Sequence, residues 1–168
     1  MNAFQNELTN TIAVFIRNIG IEVTAGTLTD DTFLPGIKIL RGGLVVDELK
    51  LKFPGDLLHE AGHLAVAPAN LRSALSDEVN LEGINMDVIE SMAIGWSYAA
   101  AVHLGLDPSV VFHSQGYKGK SEQLLFNFRI GVFIGAAGLA EAQMTAIGAT
   151  AQSLNVPAYP HMLKWLRE

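Results

Sequence analysis

The sequence predicts a single α+β domain over residues 1–168. Three observations point there. An amphipathic helical stripe opens the chain, β-prone segments broken by glycine occupy residues 33–53, and longer apolar helical segments follow. The length is enough to bury one real core.

Asn2 to Ile19 carries Leu8, Ile12, Phe15, Ile16 and Ile19 at helical spacing, and Gly20 stops it. Gly26 to Asp31 reads as a turn. Ile37–Leu40 and Leu44–Val46 read as strands joined through Arg41-Gly42-Gly43, a hairpin signal. Pro54-Gly55 breaks the chain, and Asp56 is the expected N-cap of a helix that begins near Leu57 and ends before Pro68. Residues 69–83 read as a loop with some helix. Asn85 to Leu104 is the longest helix expected, with a stripe of Ile89, Met92, Trp96 and Ala99, and Gly105 ends it. Val110–Phe112 fits a brief strand or helical turn, and Ser114–Ser121 a glycine-containing loop. Glu122–Phe133 fits helix or strand, and Gly131–Met144 is rich in Gly and Ala, which suits close backbone packing. Ala158–Glu168 reads as a final helix with Pro160 at its first position and Trp165 as its anchor.

Composition narrows the function. The net charge is −6 with scattered Lys and Arg, which argues against a nucleic-acid surface. No cysteine is present, so disulfides, thiolate metal sites and cysteine nucleophiles are excluded. The first twenty residues show no basic region and no cleavage site of a signal peptide. The apolar runs Ser91–Leu106 and Ile130–Ala140 fall short of the roughly 20 residues a membrane helix needs. A soluble, cytoplasmic protein without membrane contact is the expectation. Nearly half the residues are apolar, and the mean hydropathy is positive. A large core, an apolar cleft or a homodimer interface would each account for that.

The chemistry is concentrated in Phe53–Pro68. His59-Glu60-Ala61-Gly62-His63 is an HExxH pentapeptide. On a helix, i and i+4 share a face, so both imidazoles can address one metal ion. Glu60 sits at the edge of that face, where it can take a proton from a metal-activated water. Ala61 and Gly62 are small and admit a close neighbour. Gly62 costs about 1 kcal/mol of helix stability relative to Ala, which a mere scaffold helix would not need. Val66 and Ala69 exclude the longer HExxHxxGxxH pattern. A catalytic zinc commonly takes three protein ligands, so a third must come from further along. Glu90 is the preferred candidate, because its face continues through Ala93, Ser97 and Ala101, and a charge on such a small-sided face needs a partner. Glu82, Asp87, His103 and His113 are the reserves.

Loop 114–121 ends in Gly119-Lys120-Ser121, but Ser114 stands where a phosphate-binding loop needs glycine. His113, Tyr117 and Lys118 fit the rim of a cleft better, and His113 or Tyr117 could steady a developing oxyanion. No GxSxG nucleophile elbow exists.

HEAGH, followed 27 positions after His63 by Glu90 in IESMAIGWSYAA, resembles the minimal gluzincins, the zinc-peptidase domains of the IrrE/ImmA type. The resemblance covers about residues 34–106. It implies a zincin-like fold, with a small sheet packed on an HExxH helix and a second long helix. It also implies Zn2+ held by His59, His63 and Glu90, Glu60 as general base, and a peptide or protein substrate. The chain departs from that family in its C-terminal third and lacks the helix-turn-helix region of some members. HEAGH is also similar to the peptidase domain of FtsH-type proteases, whose third ligand is Asp and whose ATPase module is missing here. The rival expectation is a zincin-like binding or assembly module with a structural metal or none, possibly homodimeric. A non-peptide metal hydrolase or amidase is the third, since the motif fixes the water chemistry and not the substrate.

Overall fold

The computed structural model describes residues 4–29, 32–77 and 85–168. It is α+β, as expected, with a small sheet beside a larger helical layer.

Helix α1, Glu7–Asn18, starts one turn inside the expected range because Asn6 caps it, its side chain accepting from Thr9 N–H. Its buried face is Ile12, Ala13, Phe15 and Ile16. Strand β1, Val23–Ala25, pairs in parallel with β3, Gly43–Val46. No strand is expected there from the sequence, since three residues carry no period of their own. Strand β2, Ile37–Leu40, forms an antiparallel hairpin with β3, giving the order β1-β3-β2. The turn is Arg41-Gly42, both at positive φ (50° and 77°), and Gly43 already belongs to β3. Two left-handed residues match the hairpin's twist. Ile37 and Ile39 face the core, while Lys38 and Leu40 face outward.

Helix α2, Asp56–Val66, runs through the centre of the molecule. Leu57, Leu58, Leu64 and Val66 are fully buried, each contributing about 1.5–3 kcal/mol by leaving water. The expected N-cap needs correction. Gly55 holds the cap position, no side chain caps the helix, and Asp56 is its first residue with its carboxylate turned elsewhere. The other end is closed by two arginines. Arg72 donates to the carbonyls of Leu64 (2.9 Å) and Ala67 (3.2 Å). Arg167 reaches Ala65 O through its backbone N–H (2.9 Å) and Val66 O through its guanidinium (3.3 Å). These satisfy the carbonyls that a helix end leaves without partners.

A short helix α3, Ala69–Arg72, follows Pro68. Helix α4, Met86–His103, is the longest and is capped by Asn85. Trp96 is fully buried at its middle, and its indole N–H donates to Trp165 O at 2.9 Å. A 3-10 turn at Pro108–Val110 leads to the loop that carries His113. Helices α5 (Ser121–Arg129), α6 (Ala136–Glu141) and α7 (Gly148–Leu154) complete the chain. The expected final helix over 158–168 is absent. That segment is irregular, and its fixed points are a bridge between Thr145 and Met162, the Trp96–Trp165 contact and the Arg167 bonds to α2. Trp165 is an anchor as expected, but to Trp96 and Phe15 from a non-helical tail. Among the described residues no helix is long and apolar enough to cross a membrane.

Candidate metal centre

Helix α2 packs more extensively against α4 than against any other element. The approach is close because of Gly62. A Cβ built there would lie 2.9 Å from the Ala93 carbonyl oxygen and 3.3 Å from its Cα. Ala93, Ser97 and Ala101 are all fully buried, so the small-sided face of α4 is the contact face. Glu90 lies one turn before Ala93 on that face, and the contact carries its carboxylate to the two histidines.

His59 and His63 turn their rings edge to face, with Nε2 atoms 3.1 Å apart. Glu90 spans both: Oε1 is 3.6 Å from His59 Nε2, and Oε2 is 3.1 Å from His63 Nε2. One ligand atom from each residue can be chosen so that all three lie within 4.8 Å of one another. Metal bonds of about 2.0–2.2 Å in a tetrahedron set ligand atoms about 3.3–3.6 Å apart, so the spacing fits a small cation. Proton arithmetic gives the same answer. His63 Nε2 has both His59 Nε2 and Glu90 Oε2 at 3.1 Å. A single N–H can point at one of them, leaving the other contact to lone pairs alone, whereas a cation between the three satisfies all of them. The histidine side chains are only 12% and 20% exposed while Glu90 is 45% exposed, so the cluster opens to solvent on the Glu90 side.

Burial and charge set the protonation states. Burial, aided by the charge of His63, lowers the His59 pKa to about 4. Burial raises Glu60 to about 7, with the His63 charge opposing and Asp77, Asp56 and Glu90 adding to it. Burial pulls His63 down, but its hydrogen bond to Glu90 and the charges of Glu60 and Glu90 win, and its pKa is raised. The His63 hydrogen bond holds Glu90 below the usual carboxylate range against burial, with His59, His63 and Lys118 adding charge. Glu60 is half-buried and sits beside the cluster with a pKa suited to a base at neutral pH.

The loop residues divide. His113 Nε2 is hydrogen-bonded with Asp56 Oδ1 at 2.8 Å, and its ring stacks on Phe53 with centroids 3.7 Å apart. It therefore pins the loop to the first turn of α2 and is not a member of the His59–His63–Glu90 group. Asp56, which sequence reasoning took for a cap, is the missed partner. Its pKa is raised by burial, against the hydrogen bond and charge of His113. Its place four residues before Glu60 on one helix face was the available signal. Tyr117 does meet the cluster. Its ring stands edge-on to His59 at 5.2 Å and packs on Phe112 at 5.1 Å. Its hydroxyl is buried without a hydrogen-bond partner. Ser97 is close enough to influence the hydroxyl as a hydrogen-bonding neighbour, but it donates its own proton to Ala93 O at 2.7 Å, and its geometry to Tyr117 falls short of a hydrogen bond. Burial keeps the Tyr117 pKa well above its ordinary value, so the hydroxyl stays a donor. Lys118 lies near enough to Glu90 for its charge to be felt there.

The reserve ligands are not brought in. Asp87 is exposed in the first turn of α4. His103 packs against Phe15 at 5.6 Å and Trp165 at 5.1 Å. Glu82 lies outside the described residues.

Gly62→Ala tests the geometry. Overpacking at such a contact costs about 1–3 kcal/mol, against about 1 kcal/mol gained in helix propensity. The expected result is a small change in melting temperature with a clear loss of metal affinity, because α4 must back away and take Glu90 with it. Unchanged affinity in a chelator competition would refute the link between that contact and the cluster.

Comparison with protein-family models, with curated proteins and with solved structures found no match to this chain.

Proposed function

We propose that the protein is a zinc-dependent hydrolase of amide bonds, most simply a peptidase. One observation carries the reading: two helices far apart in sequence converge to place His59 Nε2, His63 Nε2 and a Glu90 oxygen at metal-ligand spacing. His59, His63 and Glu90 would hold the ion, a two-nitrogen, one-oxygen set known for catalytic zinc. When bound, zinc supplies Lewis acidity and brings the pKa of water toward about 7.

The chain's own residues supply the rest. Glu60 accepts a proton as water oxygen bonds to the carbonyl carbon, and returns it to the nitrogen as the C–N bond breaks. Glu60 is half-buried next to His59 on α2, which keeps its carboxylate beside the reacting groups for both steps. We assign Tyr117 to the developing oxyanion, because its hydroxyl is protonated and uncommitted. His113 is left with the positioning of the loop, since its Nε2 is committed to Asp56.

The test is metal stoichiometry. Protein refolded with zinc and freed of excess is expected to retain about one ion per chain, as a single three-ligand site should. Wild-type protein that stays metal-free would overturn the reading.

A further inference from the structure

β2 lies at the edge of the sheet, yet its outer side is already taken. Ile39 N–H donates to Asp77 Oδ1 at 2.9 Å, and Ile39 C=O accepts from Asp77 N–H at 3.3 Å. Beyond the strand, Gly42 N–H donates to Leu75 O at 3.0 Å, and at its first residue Ile37 N–H donates to Leu34 O at 3.2 Å. The hairpin turn accepts this neighbour because Gly42 has no side chain: a Cβ there would sit 2.6 Å from Arg72 O and 3.0 Å from Ser73 Cα.

The strap formed by residues 72–77 is fastened at its root as well. Arg72 is bonded to Leu64 O and Ala67 O at the end of α2, and to Arg167 O in the tail. Through Leu64 O, one turn beyond Glu60 on α2, the root of the strap is tied to the helix that carries the candidate site. An extended peptide commonly docks by adding a strand to an exposed edge, its main chain supplying the affinity. Here both outward groups of Ile39 and the outward N–H groups of Ile37 and Gly42 are filled by the chain itself, which also protects the edge from unwanted pairing.

We infer that residues 72–77 close this edge, so that the site takes compact amides (short peptides or single acyl amides) and rejects the interior of an extended polypeptide. Asp77 is the specificity-determining residue, because among the described residues it fills both the donor and the acceptor of Ile39. The inference deepens the hydrolase reading and rests on it for the substrate.

Two measurements separate the parts. The first is amide hydrogen exchange on the wild-type protein, which needs no activity. The Ile39 and Gly42 amides are expected to exchange on the order of 100-fold or more slower than unstructured amides. Asp77→Ala is expected to speed Ile39 by at least tenfold, while Asp77→Asn, which keeps the side-chain acceptor, stays near wild type. Ile39 exchanging within tenfold of the unstructured rate in the wild-type protein overturns the closed edge. The second is a substrate comparison with zinc-loaded protein, using blocked di- and tripeptide amides beside a permanently unfolded polypeptide. Cleavage of the short amides alone, with polypeptide cleavage gained in Asp77→Ala, supports the inference. Wild-type protein that cuts the polypeptide internally as fast as the short amides overturns it. Cleavage of neither overturns the hydrolase reading and the substrate class with it, while slow exchange at Ile39 would still establish the closed edge.

Discussion

Glu90→Ala is expected to bind zinc at least ~100-fold more weakly than the wild-type protein. Outer partners of metal ligands already cost about 10–100-fold when removed, and Glu90 is assigned to the ion itself. The variant keeps His59 and His63 on α2, and two nitrogens from one helix turn leave the ion without the donor that α4 contributes. The fold should hardly notice, because the Glu90 side chain is 45% exposed and its truncation opens no core cavity. Its main losses inside the protein are the contacts to His63 and His59. A chromophoric chelator competed against the protein measures the affinity, and a thermal melt in excess chelator checks that the fold is intact. Asp87→Ala, on the same helix but exposed at its first turn, is the matched control and should leave the affinity unchanged. Equal zinc affinity in Glu90→Ala and wild type would strike Glu90 from the ligand set without touching the two histidines.

Glu60→Gln is expected to lower turnover by about 10²–10⁴-fold, the usual worth of a positioned base, with zinc retained. The glutamine keeps the shape and reach of the side chain but cannot accept a proton. Glu60 makes no hydrogen bond to another described residue that the change would break, and its raised pKa reflects burial first rather than a partner. Zinc content and melting temperature should therefore stay near wild type while kcat falls. A zincin-like binding module would be indifferent to the same change. Turnover within threefold of wild type in a zinc-loaded Glu60→Gln protein would end the general-base assignment.

The elements that were legible before any coordinates are those whose signal is local. The α2 motif could be read because two histidines at i and i+4 have one geometric meaning on a helix. The α4 contribution could be read because Glu90 heads a face that continues through Ala93, Ser97 and Ala101, and Gly62 with that face marks where two backbones meet. The hairpin announced itself through Gly42. What could not be read depended on partners distant in sequence. Asp56 has the composition of an N-cap, and only the arrival of His113, 57 residues away, turns its carboxylate from the helix end. β1 is a strand because β3 lies beside it. The tail from Ala158 has apolar residues at plausible helical intervals, but its backbone is held by Ala65, Met144 and Ala146, which a helix of its own could not satisfy. The sequence offers both His113 and Tyr117 as oxyanion candidates, with His113, beside Phe112, the first to test. The left-handed run of Tyr117, Lys118 and Gly119 (φ 53°, 54° and 79°) turns one toward His59, while Asp56 claims the other.

The arginine closure of α2 has a kinetic side. Arg167 meets Val66 across 101 residues of chain, and Arg72 meets Arg167 across 95. Contacts over such separations carry a high loop-closure cost and tend to form late in folding. The helix that bears both histidines is thus finished by contacts that join it to the far end of the chain. Metal capture is expected to follow global folding, and a bound ion would report that the whole chain has come together.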